Sequence, residues 1–141
     1  MSSFKANVHD RERQEQRILS LCAELQPALS LEWITVVHRF SEERDSEQAT
    51  LCETEVEHKY HQATMKWHLV LASGATDESI WETAVHEYVH VMLGPIHDKL
   101  KAGEWAVADE EFATETVAVA LLKLISRPFN ADGSRLSIDP T

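Results

Sequence analysis

Cationic residues are scarce in this chain: 13 Lys and Arg stand against 24 Asp and Glu, a formal net charge of −11. A surface so acidic repels a phosphate backbone, which sets nucleic acid aside as a partner. Long apolar runs are missing as well. The stretch "MSSFKANVHDRERQEQR" holds no apolar core of the length a signal peptide needs, and no later segment approaches the roughly eighteen apolar residues of a membrane span. The expectation is a soluble, cytoplasmic protein with no membrane partner. Cysteine is limited to Cys22 and Cys52, far apart and in no CxxC pair, so the thiols read as reduced and structural. Repeats are absent too. What is present, 141 residues of which 43% are hydrophobic, suffices for one domain with a real core.

The periodicities name the elements. Residues 10–26 place Ile18, Leu21, Cys22 and Leu25 at helical spacing, with Pro27 as the expected stop. The β-branched and aromatic "LEWITVVHRF" (31–40) predicts a strand, followed by a charged loop over 41–48. In "TLCETEVEHKYH" (50–61) Cys52, Thr54 and Val56 alternate with Glu53, Glu55 and Glu57, the pattern of a strand with one wet face. A third strand is expected over 65–72, "MKWHLVLA". After it "SGATDES" breaks the pattern and offers Thr76 or Asp77 as an N-cap for a helix over 77–93, ended by Gly94-Pro95. A second long helix is expected over 105–126, its apolar face carrying Val107, Phe112, Val117, Ala118, Leu121, Leu122 and Ile125. The order helix, three strands, helix, helix predicts an α+β fold, one domain over 1–126. The remainder, 127–141, has Pro, Gly and Asn without periodicity and is expected to be a flexible tail.

The helix over 77–93 contains "HEYVH". His86 and His90 lie one turn apart on one face, so their imidazoles can converge on one ion. Zinc suits two neutral imidazoles and one oxygen ligand, with a position left for water. Glu87 then stands beside that position as a general base rather than a ligand. A chain with eight histidines can produce such a string by chance. Three features set this one apart: it sits in an amphipathic helix behind a strand, the helix positions Ala84, Val85, Val89, Met92 and Leu93 around it are apolar, and a second helix follows with Asp109, Glu110, Glu111 and Glu115. Acids at a helix start favour the macrodipole, which accounts for the first three but not for Glu115, a full turn in.

At this point the chain resembles the gluzincin metallopeptidases, thermolysin-like zincins whose HExxH helix is followed by a helix supplying a glutamate ligand. The matching pieces are "HEYVH" and "EEFATE", the latter similar to the family's Asn-Glu-x-x-Ser-Asp signature, and the order of elements agrees over residues 65–126. The resemblance implies a minimal zincin-like fold, with Glu111 as third zinc ligand, Thr114 in the serine place and Glu115 as the acid that orients a zinc-bound histidine. The spacing usual in that family selects Glu110 instead. The short stand-alone peptidases of the ImmA kind suggest a third register, in which "ETVAVALL" makes Glu115 the ligand. Glu111 is preferred because only that register leaves an acid one turn further on. The resemblance also implies that "KWHLVLAS" is an edge strand able to pair with an extended peptide, with His68 near the cleft and Trp67 in the core.

Two rival metal sites are weaker. Peptide deformylases combine an HExxH-type helix with an upstream cysteine, which Cys52 invites, but "TLCETE" does not look like their cysteine motif. His58, His61 and His68 lack a fixed fourth ligand and read as solvated or packed. The expectation is therefore a zinc metallopeptidase hydrolysing a peptide or protein substrate: His86, His90 and Glu111 bind Zn2+, Glu87 activates water, and Glu115 orients a histidine. The alternative from another class is a catalytically inactive zincin-like binding or regulatory module with a structural or lost zinc. Glu87 separates the two, since a structural zinc needs no base.

Overall fold

The computed structural model describes residues 8–42, 50–57, 60–100, 107–125 and 128–136, with side chains for 10–42, 50–57, 60–94, 111–125 and 128–136. The protein is α+β, with four helices and a three-stranded mixed sheet among the described residues.

Helix α1 (Val8–Ala28) buries Gln14, Ile18, Leu21, Cys22 and Leu25, the stripe its spacing predicts. Pro27 does not stop it; the proline sits inside the last turn. The stop is a Schellman arrangement: Leu31 N–H donates to Gln26 C=O, Ser30 N–H donates to Pro27 C=O, and Ser30 adopts φ 58°. The Arg17 guanidinium ties α1 to the segment over 72–77, donating to Asp77 and to the carbonyls of Ala72 and Ala75, and within α1 to Gln14 Oε1 at 2.9 Å.

Strands β1 (Thr35–Ser41), β2 (Cys52–Glu57) and β3 (Gln62–His68) lie in the order β1-β3-β2, β1 parallel and β2 antiparallel to β3. The central position of β3 corrects the expectation that "KWHLVLAS" is an edge strand: the short connection from β2 folds β3 back beside it, and β1 pairs with the other side. Ala63, Met65 and Trp67 are buried on one face of β3, while Glu53, Glu55 and Glu57 are exposed on β2, as the alternation predicts. β3 also ends four residues sooner than expected. His68 accepts from Leu71 N–H at 3.3 Å and caps a short helix, α2 (Leu69–Ser73), which buries Leu69 and Ala72 and leaves Leu71 exposed.

Helix α3 (Asp77–Leu100) starts where Thr76 Oγ1 accepts from Ser79 N–H at 3.1 Å. Ile80, Trp81, Ala84, Val85, Tyr88, Val89 and Val91 are all buried, so α3 is the central helix of the core. It does not end at Gly94-Pro95. Gly94 is within the helix because α3 approaches β2 closely there: a Cβ at this position would stand 2.9 Å from Val56 Cγ1. Helix α4 (Val107–Leu124) packs on α3 through Thr114 and Ala118, with Val117, Leu121 and Leu122 partly buried. Phe112, expected on the apolar face, is 75% exposed, because the inward row is Glu111, Thr114, Ala118 and Leu122, and Phe112 is turned away from it.

Of the expected tail, residues 128–136 form a turn closed by a Phe129–Arg135 bridge. Phe129 packs edge-on against Trp81 at 5.5 Å, Glu78 N–H donates to Gly133 C=O, and Arg135 pairs with Glu24. Gly133 has φ 83°, a conformation that favours glycine, and lies against Thr76. No helix among the described residues is long and apolar enough to cross a membrane.

Candidate metal centre

One turn of α3 separates His86 from His90, and their rings stand 5.0 Å apart at 74°. Both present Nε2 to the same carboxylate across the helix pair: Glu111 Oε2 is 3.5 Å from His86 Nε2, and Glu111 Oε1 is 3.2 Å from His90 Nε2. The other ring nitrogens are held from α4. Glu115 Oε2 lies 3.0 Å from His86 Nδ1, and Thr114 Oγ1 lies 3.4 Å from His90 Nδ1. Each imidazole is thus contacted at Nδ1 from one α4 residue and turns Nε2 toward Glu111, an arrangement in which outer groups can fix the tautomer of a ligating histidine.

Whether a metal fits can be judged from the donors. One atom each from His86, His90 and Glu111 lie within 4.8 Å of one another. Ligands about 2.0–2.2 Å from a tetrahedral zinc are themselves separated by about 3.3–3.6 Å, the size of the two histidine–glutamate distances, 3.5 and 3.2 Å, which run to the two oxygens of the Glu111 carboxylate. Two nitrogens and one oxygen also match zinc chemically. The set fits.

Glu87 sits beside this group without belonging to it. Its carboxylate is only 7% exposed and lies 3.9 Å from His86 Nε2, and its Oε1 accepts a 2.8 Å hydrogen bond from Thr54 Oγ1 on β2. Burial pushes the Glu87 carboxyl above its ordinary value; the Thr54 hydrogen bond and the two imidazoles oppose the shift, and Glu111 adds to it. A carboxylate so placed is a better proton acceptor than one in water.

These residues line a cleft of about 680 Å³, whose walls are Thr50 and Leu51 just before β2, Cys52 to Thr54 of β2, Glu82 and Thr83 from α3, and Ala118 and Leu122 from α4. Cys52 lines it too, but its sulfur does not join the cluster found among the described residues. Burial, first, and the neighbouring Glu87 push its thiol well above the ordinary range. The sulfur's place outside the cluster removes support from the deformylase comparison.

The structure brings together His86, Glu87, His90, Glu111 and Glu115, all five residues singled out in the sequence. The side chain of Glu110 and the whole of His58 lie outside the described residues. His61 packs edge-on against Trp33 at 5.4 Å and His68 caps α2, so neither turns to the cleft. The residue that sequence reasoning missed is Thr54. The signal was available: strand alternation puts Thr54 on the inward face with Cys52 and Val56, and a hydroxyl there needs a buried partner. Set beside family models, curated proteins and solved structures, the chain matches none of them, so the reading of this centre rests on its own geometry.

Proposed function

We propose that the protein is a small zinc-dependent peptidase. The observation that carries this reading is the position of Glu87: buried, held by Thr54, and adjacent to a three-donor cluster in which it takes no part. A purely structural zinc has no use for such a group.

His86, His90 and Glu111 would hold the ion, with Glu115 and Thr114 keeping the rings in place. Bound there, zinc supplies Lewis-acid polarisation of a carbonyl oxygen and lowers the pKa of water. Glu87 takes a proton from the water as its oxygen attacks the scissile carbonyl carbon, and returns that proton to the amide nitrogen as the C–N bond breaks. The products are a carboxylate and an amine.

The substrate has a natural rail in β2, which is a free edge among the described strands. His68 N–H donates to Leu51 C=O, and the two are opposite each other in the β2–β3 register. Antiparallel pairs alternate, so Glu53, Glu55 and Glu57 bond inward to β3 while Cys52, Thr54 and Val56 turn their backbone groups outward. Thr50 Oγ1 donating to Cys52 C=O at 3.3 Å agrees with this. Cys52, Glu53 and Thr54 of the strand line the cleft together with Thr50 and Leu51 before it, side chains of both faces among them, which supports a cleft running along the strand's edge. An extended peptide pairing there passes beside Glu87.

The test is elemental analysis of protein purified without added metal or an affinity tag, beside peptide cleavage by wild type and Glu87→Gln. One zinc per chain, lost in His90→Ala, with hydrolysis abolished in Glu87→Gln and metal retained, is the expected result. Hydrolysis that survives Glu87→Gln would refute the assigned base, and absence of metal even when zinc is offered at neutral pH would leave a zincin-like binding module.

A further inference from the structure

The charges around the cleft are one-sided. Glu53, Glu82, Glu87, Glu111 and Glu115 line it, and no Lys or Arg does among the described residues. Three of these serve the metal and the base; Glu53 does not, and it begins a row. Glu53 lines the cleft, and Glu55 and Glu57 continue its row at two-residue intervals on the exposed face of β2, beyond the cleft's own lining. Their cross-strand neighbours on β3 are Lys66, Thr64 and Gln62, and Arg39 of β1 lies beyond Lys66 in the same row. The cations of this sheet face therefore sit on the far strands, and the free edge is left anionic. Among the described residues, no cation of the sheet stands opposite Glu55 or Glu57.

We infer that the cleft takes extended cationic peptides, with Lys or Arg at alternate positions, as its substrates; this rests on the peptidase reading of the site. The geometry comes from strand alternation. A peptide residue opposite Thr54 shares that residue's face and points toward Glu87, and its two neighbours share the face of Glu53 and Glu55. The residue two further along reaches Glu57. Three side chains of the bound strand thus meet a carboxylate each. Opposite charges across an antiparallel pair are favourable and like charges unfavourable, so the ladder selects for Lys or Arg and against Asp or Glu. The cleft's own field adds steering of the same sign. Neutral peptides still pair through their backbone, so the ladder discriminates among substrates rather than creating binding.

The experiment measures binding rather than turnover. Two short, acetylated, fluorescein-labelled peptides are compared, identical except for Lys or Glu at every second position, by fluorescence anisotropy on zinc-loaded Glu87→Gln protein. The Lys peptide is expected to bind about tenfold or more tighter than its Glu counterpart, an advantage that shrinks in about 0.5 M salt. Adding Glu55→Gln and Glu57→Gln cuts the advantage about three- to tenfold, and charge reversal at both positions cuts it further. These residues are exposed and outside the metal centre, so zinc content and circular dichroism stay unchanged. Equal affinity for the two peptides, no binding of either, or an advantage untouched by charge reversal would overturn the inference. Cleavage of a neutral peptide by wild type is assayed separately. Its absence counts against the peptidase reading, while the charge preference is decided by anisotropy alone.

Discussion

Thr54 Oγ1 donates a 2.8 Å hydrogen bond to Glu87 Oε1, joining the edge strand of the sheet to the helix that carries both histidines. Replacing Thr54 by Val keeps the shape and removes the donor, leaving a buried carboxylate short of a partner. Loss of one hydrogen bond to a charged group is worth about 1.5–3 kcal/mol, so kcat should fall roughly ten- to a hundredfold. Zinc content should remain at one per chain. A Thr54→Val enzyme with wild-type kcat would show that Glu87 needs no such support.

Glu115 and Thr114 hold the ring nitrogens that face away from Glu111. Groups in that position typically contribute ten- to a hundredfold to metal affinity. Glu115→Gln is therefore expected to weaken zinc binding by about that factor in a competition titration against a chelator, and Thr114→Val by less, its contact being longer. Glu111→Ala removes a ligand outright and should lose far more than either. Should Glu115→Ala empty the site while Glu111→Ala leaves it filled, the third ligand would be Glu115.

At Gly94, two effects oppose each other. Alanine gains about 1 kcal/mol of helix propensity over glycine, but here its Cβ meets Val56 Cγ1 at 2.9 Å, and a β-branched side chain in a strand has little freedom to move aside. Overpacking of this kind costs about 1–3 kcal/mol, so the clash wins by a small margin. Gly94→Ala is expected to lower the urea midpoint, and Val56→Ala in the same chain should turn the substitution from unfavourable to favourable. The double-mutant cycle reads the coupling directly.

Removal of the Phe129 ring takes away the edge-on contact with Trp81 and the packing of the turn over 128–136 on the start of α3. Phe129→Ala is expected to cost about 1–3 kcal/mol, a partly buried aromatic being worth less than one in the core. Truncation after residue 127 should cost at least as much in chemical denaturation. Unchanged stability in both would mean that the turn adds nothing to the fold.

Much of the site was legible because its first half is local. His86 and His90 face one way as soon as the segment is helical, and Ala84, Val85, Val89 and their apolar neighbours make it helical and buried. The element order and the wet face of β2 were legible for the same reason, a period of 3.6 or 2 that needs no distant partner. The stops were not. Pro27 and Gly94-Pro95 look like helix ends, yet α1 is closed by the Ser30 turn and α3 runs on past a glycine that packing requires. Breaker residues mark a local cost, and a buried helix can absorb it.

By itself the sequence determined the helical pair of histidines, the glutamate between them, the acidic character of the chain and the α+β succession of elements apart from α2, all set by neighbours within a few positions. Only the tertiary structure decided that Glu111 meets both imidazoles at Nε2 and Glu115 one of them at Nδ1, that β3 is central and β2 an edge among the described strands, and that Thr54 holds Glu87. Each depends on how two elements distant in the chain are rotated and placed against each other. On a helix, Glu111 and Glu115 lie one turn apart on one face, so helical periodicity leaves the choice between them open. The packing of Thr114 and Ala118 on α3 sets that rotation, and with it the carboxylate that reaches both rings.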